Sequence, residues 1–249
     1  MDESVVELRE IQPEIVQVTM QDRIHKNTFS KQIIAGLIES FASIAENKHV
    51  KVVVLTGYDS YFSSGGRQEE LLLLQQGQMK FTDIDIFRLA LDCPVPVIAA
   101  MQGHGIGGGL VLGLFSDFII LGRESIYAAN FMKYGFTPGM GATYILPKKL
   151  GFSLAQEMLM NAATFRGEEL KTRGVPFSVV PRNEVLLRAH QLAKELAEKP
   201  RESLITLKRH LVSSIREALP DVIEQEVIMH NKTFGQKEVK GKIQALFGN

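Results

Sequence analysis

Along residues 14–21 apolar and polar side chains alternate, the period-two pattern of a half-buried strand. From Ser30 the period changes. Ile33, Ile34, Leu37, Ile38, Phe41 and Ile44 fall on one stripe, which predicts an amphipathic helix. Residues 52–55 are uniformly apolar and run up to Gly57, as expected of a strand buried on both faces. A loop follows, then a helix through residues 71–74 and another around 84–91. Pro94 and Pro96 end that helix, and residues 97–101 read as a strand. Residues 103–109 form a glycine-rich loop feeding a helix to about Phe115, and 117–122 and 126–128 are again strand-like. Strands alternating with helices imply parallel pairing and an α/β fold. Beyond residue 183 the pattern is helical, over 184–198, 201–213, 221–234 and a short stretch near Phe247. The expected division is an α/β core over 1–183 and a helical lid or assembly segment over 184–249.

Two strand–helix junctions are rich in glycine: 61–67 (YFSSGGR) and 103–109 (GHGIGGG). Glycine lets the backbone turn sharply and brings N–H groups close to a ligand. The first turn of a helix also carries unpaired N–H donors and partial positive charge, so each junction favours an anion. Three readings stand at this point. The glycines could be purely structural. Gly103, Gly105 and Gly108 fit G-x-G-x-x-G with Glu124 downstream, as in a dinucleotide site, although two strand–helix units precede them and the FSSGG loop is left unexplained. Or the two loops work as a pair.

Composition narrows the partners. Hydrophobic residues make up 45% and charged residues 22%, an ordinary globular balance. Lysine plus arginine equals aspartate plus glutamate at 28 each, so no net field recruits nucleic acid or an anionic membrane. The single cysteine, Cys93, excludes an internal disulfide and a cysteine-based metal cluster. The acidic N-terminus lacks the apolar core of a signal peptide, and stretches such as 95–101 are too short to span a bilayer. A cytoplasmic location is expected.

The pair of loops resembles the crotonase (enoyl-CoA hydratase/isomerase) superfamily. The resemblance continues through Ser116-Asp117 and the PG-x-G segment at 138–141 and covers essentially the whole chain. It implies a spiral of ββα units, C-terminal helices that pack homotrimers or hexamers, and a thioester oxygen bound by one N–H from each loop. Matched loop to loop, those N–H groups belong to Gly66 and Gly108. Hydratases of the family use two glutamates to move protons, and here Val111 and Phe131 stand in their places. An oxyanion hole without water-handling carboxylates suits a reaction that makes an enolate without adding water, such as decarboxylation.

Lys80 lies after the first loop, in the region that faces the acyl pocket in crotonases. His230 lies on the helical stripe of Ile223, Val227 and Phe234. Read alone, each has an unremarkable interpretation: an exposed lysine at a helix end, and a packed core or interface histidine. Together they resemble the pair found in decarboxylases of polyketide β-branching cassettes. That resemblance implies conversion of 3-methylglutaconyl to 3-methylcrotonyl on an acyl carrier protein bearing a phosphopantetheine arm, without metal or organic cofactor. Gln76 stands where some of these enzymes have a tyrosine, and it joins Val111 and Phe131 as an expected pocket residue. A coenzyme A thioester would present the same reactive end. Arg23, His25, Lys26, Lys232, Lys237, Lys240 and Lys242 are candidates to meet an acidic carrier, or are simply solvated charges. His104 reads as structural, and Ser63 and Ser64 lack a histidine–carboxylate partnership that would make them nucleophiles. An enoyl isomerase and a non-catalytic carrier-binding scaffold are the competing functions.

Overall fold

The structure, a computed structural model, describes residues 4–75 and 85–246. β1 (Val6–Gln12) and β2 (Ile15–Met20) form an antiparallel hairpin, and α1 (Lys31–Glu46) follows. The Ser30 hydroxyl caps α1 by accepting the Ile33 N–H. The buried stripe of α1 is narrower than its sequence suggests: Ile33, Leu37, Phe41 and Ile44 are inside, whereas Ile38 is 49% exposed. β1 escapes the sequence pattern because it is an edge strand. Glu7, Leu8, Arg9 and Glu10 all face solvent, and charges there discourage edge-to-edge pairing.

The spiral is built from repeats that send one strand to each of two sheets. The first is β3 (Val52–Thr56), β4 (Tyr61–Ser63) and α2 (Gln68–Gln75). A 3₁₀ turn at Ile86–Arg88 and α3 (Leu89–Asp92) lead to the second, β5 (Val97–Met101), β6 (His104–Ile106) and α4 (Gly108–Leu114). The third begins with β7 (Phe118–Gly122) and β8 (Ile126–Ala128), then a 3₁₀ helix at Asn130–Tyr134. The stretch after it holds α5 (Ala142–Leu150), α6 (Phe152–Met160), β9 (Thr164–Arg166), α7 (Gly167–Thr172) and β10 (Ser178–Val180). The large sheet runs β1-β2-β3-β5-β7-β10, parallel from β2 onward, and the small sheet runs β4-β6-β8-β9. β4 and β6 fall inside the two glycine-rich loops. Three-residue strands have too few positions to show a period, and their pairing is long-range.

The large sheet is covered on both faces, and its strands sort cleanly by parity. Val53, Leu55, Val97, Ala99, Ile119 and Leu121 face the main core. Val52, Val54, Ile98, Ala100 and Ile120 face α8 (Val185–Ala197) through Val185, Ala189 and Ala193. Small residues four apart let α8 lie close against the sheet. Each fully buried valine or leucine contributes roughly 1.5–3 kcal/mol. The helical C-terminal segment therefore supplies one wall of the core. It continues with α9 (Arg201–Leu211), α10 (Ser213–Thr233) and α11 (Lys237–Leu246). α10 starts eight residues earlier than the sequence predicts and runs through Pro220. The buried Ile215 and Leu219 anchor that first part, outweighing the helix bond the proline forgoes. Among the described residues no helix is long and apolar enough to cross a membrane.

Candidate active site

The strand pairing explains how the two glycine loops meet. β4 and β6 run parallel, with Tyr61 opposite His104 and Ser63 opposite Gly105. At the ends of these strands the loops touch. A Cβ on Gly65 would lie 2.7 Å from the Ile106 carbonyl oxygen and 3.0 Å from the Gly108 nitrogen, and Gly65 has φ +78°. Gly109 is closer still, since its Cβ would fall 2.2 Å from the Ser63 carbonyl oxygen. Gly65 and Gly109 thus allow the approach. Gly66 and Gly108, the residues expected to supply the N–H donors, both line one cavity of about 630 Å³. Gly108 opens α4 behind Gly107 at φ +55°, so its N–H belongs to the unpaired first turn.

The first loop is held from below by the segment after β2, through Asn27, a residue that no sequence pattern marks. Asn27 is fully buried at φ 51°. Its amide donates to the Met20, Tyr61 and Phe62 carbonyls, and its oxygen accepts the Asp22 N–H at 2.7 Å. The Phe29 N–H donates to the Gly65 carbonyl at 2.8 Å. Ser63 Oγ donates to the Asn27 carbonyl and accepts the Gly65 N–H, and Ser64 Oγ donates to the Lys26 carbonyl. Both hydroxyls brace the loop. His104 is engaged in the small sheet, where its Nδ1 accepts the Ile126 N–H at 2.9 Å and burial pushes its pKa down.

The rest of the cavity wall is largely apolar: Leu71, Leu74, Phe131, Phe136 and Met140, with the Tyr134 ring stacked on Phe136. Phe131 lines the cavity, whereas Val111 is fully buried within α4 and is not part of the lining. Gln76 and Lys80 lie outside the described residues. One group missed at the sequence level is Glu70. It lines the cavity, its carboxylate accepts the Arg67 N–H at the start of α2, and burial raises its pKa. A glutamate three residues after the start of a helix is a capping signal, but nothing local shows that it borders a cavity. His25, Lys26, Arg67 and Lys133 also border this space. Arg23 pairs with Asp59, His25 with Asp22, and Lys242 with Glu238.

His230 lines a second, smaller cavity of about 160 Å³, with Arg88, Gly139, Met140 and Glu226 among its neighbours. α10 addresses the 137–143 segment through three residues on one face. Glu226 accepts the N–H groups of Gly141 and Thr143 and the Thr143 hydroxyl, His230 lies over Gly139, and Thr233 meets Thr137. A Cβ on Gly139 would sit 2.5 Å from His230 Cε1. Burial pushes the His230 pKa down to about 4, against an opposing effect of the Glu226 and Thr137 backbone.

That shift has a consequence for stability. A histidine kept neutral in the fold but titrating near 6.5 when unfolded favours unfolding as pH falls. The loss sets in below the unfolded value and continues down to the folded one, amounting to about 2 kcal/mol between pH 7 and pH 5. Glu226 opposes it, because burial raises its carboxyl and acid favours the folded form. Urea unfolding across this range should therefore show a steeper acid loss in the wild type than in His230→Leu. Parallel curves would mean that His230 titrates normally.

The sequence profile of the enoyl-CoA hydratase/isomerase family matches residues 10–247. The chain belongs to this family. It is 64% identical, over 100% of both chains, to bacillaene synthase decarboxylase PksI of Bacillus subtilis (strain 168). A solved structure from a dehydratase/decarboxylase enzyme couple involved in polyketide β-branching matches with a TM-score of 0.98 at 64% identity, covering 99% of this chain and 100% of that one. The ECH2 decarboxylase domain of CurF from Lyngbya majuscula matches with a TM-score of 0.94 at 47% identity, covering 97% and 99%. The chain is an enzyme, a decarboxylase of the crotonase superfamily with the crotonase fold. The dinucleotide reading of the second loop falls away. Gly103 is needed because a Cβ there would meet the Tyr61 nitrogen at 2.3 Å, and Glu124 accepts the Arg182 N–H.

Proposed function

We propose that this decarboxylase acts on 3-methylglutaconyl held as a thioester on the phosphopantetheine arm of an acyl carrier protein, giving the 3-methylcrotonyl thioester during polyketide β-branching. The observation that carries the proposal is the convergence of Gly66 and Gly108 on one largely apolar cavity. The bond between the γ-carbon and the carboxylate breaks, CO2 leaves, and the electron pair moves through the double bond onto the thioester oxygen. The two N–H groups stabilise that dienolate oxygen, in a site where water is displaced and such bonds are strong. A proton added at the γ-carbon completes the product. Lys80 pairs with the departing carboxylate and delivers this proton, and His230, from the smaller cavity that shares Met140 with this one, orients the end of the acyl group that reaches Met140 or shares in the transfer. Val111 and Phe131 cannot activate water, which keeps hydration from competing. The resemblance of the chain to PksI, to the β-branching enzyme couple and to the CurF decarboxylase domain supports decarboxylation as the reaction and polyketide β-branching as its setting. The proposal includes a homotrimer or hexamer and a cytoplasmic location.

The test is to load 3-methylglutaconyl onto a carrier protein, add the enzyme and follow the mass of the intact acyl carrier. Loss of one CO2, faster than for the coenzyme A thioester, is the expected result. An unchanged mass with folded enzyme and carrier would sink the proposal. A shifted double bond without mass change would point to an isomerase, and carrier binding without turnover to a scaffold.

A further inference from the structure

Met140 occupies an unusual position. It is the one described residue that lines both the larger cavity, with Gly66 and Gly108, and the smaller one, with His230. Its side chain lies directly over Gly108, where a Cβ would come within 2.8 Å of the Met140 sulfur. Its backbone has φ +64°, in the left-handed region that side chains other than glycine seldom adopt. Strained residues of this kind persist only where their surroundings hold them, and they gather at functional sites.

What holds Met140 is visible. Glu226, 1% exposed, accepts the Gly141 N–H at 2.7 Å, the Thr143 N–H at 2.9 Å and the Thr143 hydroxyl at 2.6 Å. These are the peptide immediately after Met140 and the first turn of α5, where the backbone donors have no partner within the helix. A buried carboxylate is costly unless fully hydrogen-bonded, and this one is spent entirely on the segment that carries Met140. Beside it, Gly139 packs under His230. The strained residue is thus pinned between the proposed oxyanion site and the histidine.

We propose that Met140 is a specificity-determining residue. Its thioether divides the acyl channel between the two cavities and sets how far an acyl chain can reach past Gly108, with Glu226 as the positioning residue that holds it. This rests on reading the larger cavity as the acyl-thioester site. Methionine suits the task, because an unbranched thioether fills an irregular gap and still adapts to a neighbour.

The experiment uses saturated acyl-pantetheine thioesters from butanoyl to decanoyl, which cannot lose CO2, and measures binding to the full-length enzyme by calorimetry. In the wild type, affinity rises with length and then stops rising where the chain meets Met140. In Met140→Ala the rise continues into the smaller cavity, by roughly fourfold for each further methylene buried. Met140→Gly, which also relieves the positive φ, serves as the second variant and gives the same extended profile. Glu226→Ala blurs the wild-type limit, and Glu226→Gln, which keeps an acceptor oxygen, partly restores it. An unchanged length limit in folded Met140→Ala or Met140→Gly overturns the proposal while leaving the decarboxylase reading intact. An unchanged limit in Glu226→Ala reduces Glu226 to a structural role. If the wild type binds none of these thioesters, both this proposal and the reading of the larger cavity fall.

Discussion

Replacing Gly65 by alanine is expected to lower kcat by about 10²–10³, the loss that follows removal of one oxyanion donor. The reason is local and steric. The new methyl group would lie 2.7 Å from the Ile106 carbonyl and 3.0 and 3.2 Å from the Gly108 and Gly109 nitrogens. It cannot be accommodated by a side-chain rotation, because every one of those atoms is backbone. Alanine at φ +78° also costs about 1–2 kcal/mol in its own right. The loops must separate, and the Gly66 and Gly108 N–H groups no longer point at one oxygen. Gly66→Ala is the matched control. Its methyl would meet nothing nearer than the Leu71 side chain at 3.7 Å, an ordinary contact, and the N–H is retained. A much smaller loss than in Gly65→Ala is expected there, because the loops stay in register and only the methyl itself intrudes on the cavity. Turnover and thermal unfolding measured on both variants separate the two effects. Wild-type kcat in a folded Gly65→Ala enzyme would place the oxyanion site away from this junction.

The contrast between adjacent glycines shows what the sequence conveyed and what it did not. The strand and helix periods stand out wherever a long element buries a regular set of side chains. The alternation over 14–21 and the inner stripe of α1 are cases of this, whereas β3, β5 and β7 are uniformly apolar runs whose two faces only the fold tells apart. The same rule hides the short strands β4 and β6, whose three residues are fixed by pairing with distant chain. It hides β1 too, which has one buried side chain. For the site, the FSSGG and GHGIGGG loops point to a paired anion site with Gly66 and Gly108 as the expected donors, but the steric part played by their neighbours is visible only in the fold. Gly65 and Gly109 allow contact, while Gly66 and Gly108 face the cavity.

The groups that hold the site in place were the least legible. Asn27 was an unmarked polar residue after the first strand, yet it is buried and ties three carbonyls together. Glu226 lies four residues before His230 on the same face of α10. Local sequence gives no sign that it is buried, because its partners are Gly141 and Thr143, more than eighty residues away. The chemistry-bearing residues of such a site are visible by type. Their supports are ordinary polar residues whose role comes entirely from the tertiary contact.

Lys80→Ala is the second large effect, an expected fall in kcat of about 10²–10⁴, the range for loss of a general acid. The proposed roles of Lys80 reinforce one another. An apolar site disfavours the ammonium and eases release of its proton, while the substrate carboxylate holds it charged until CO2 departs. Once the carboxylate is gone, that support vanishes and the proton moves to the γ-carbon. In D2O the product should carry one deuterium in a γ-methyl group. Lys80→Arg should not rescue turnover, because a guanidinium pairs with a carboxylate but does not give up its proton. It should, however, restore KM relative to Lys80→Ala, separating the binding role from the proton-transfer role. Full rescue of kcat by arginine would confine Lys80 to holding the carboxylate and pass the proton transfer to His230, which lines the smaller cavity that also includes Met140. Wild-type turnover in Lys80→Ala would remove Lys80 from the chemistry altogether.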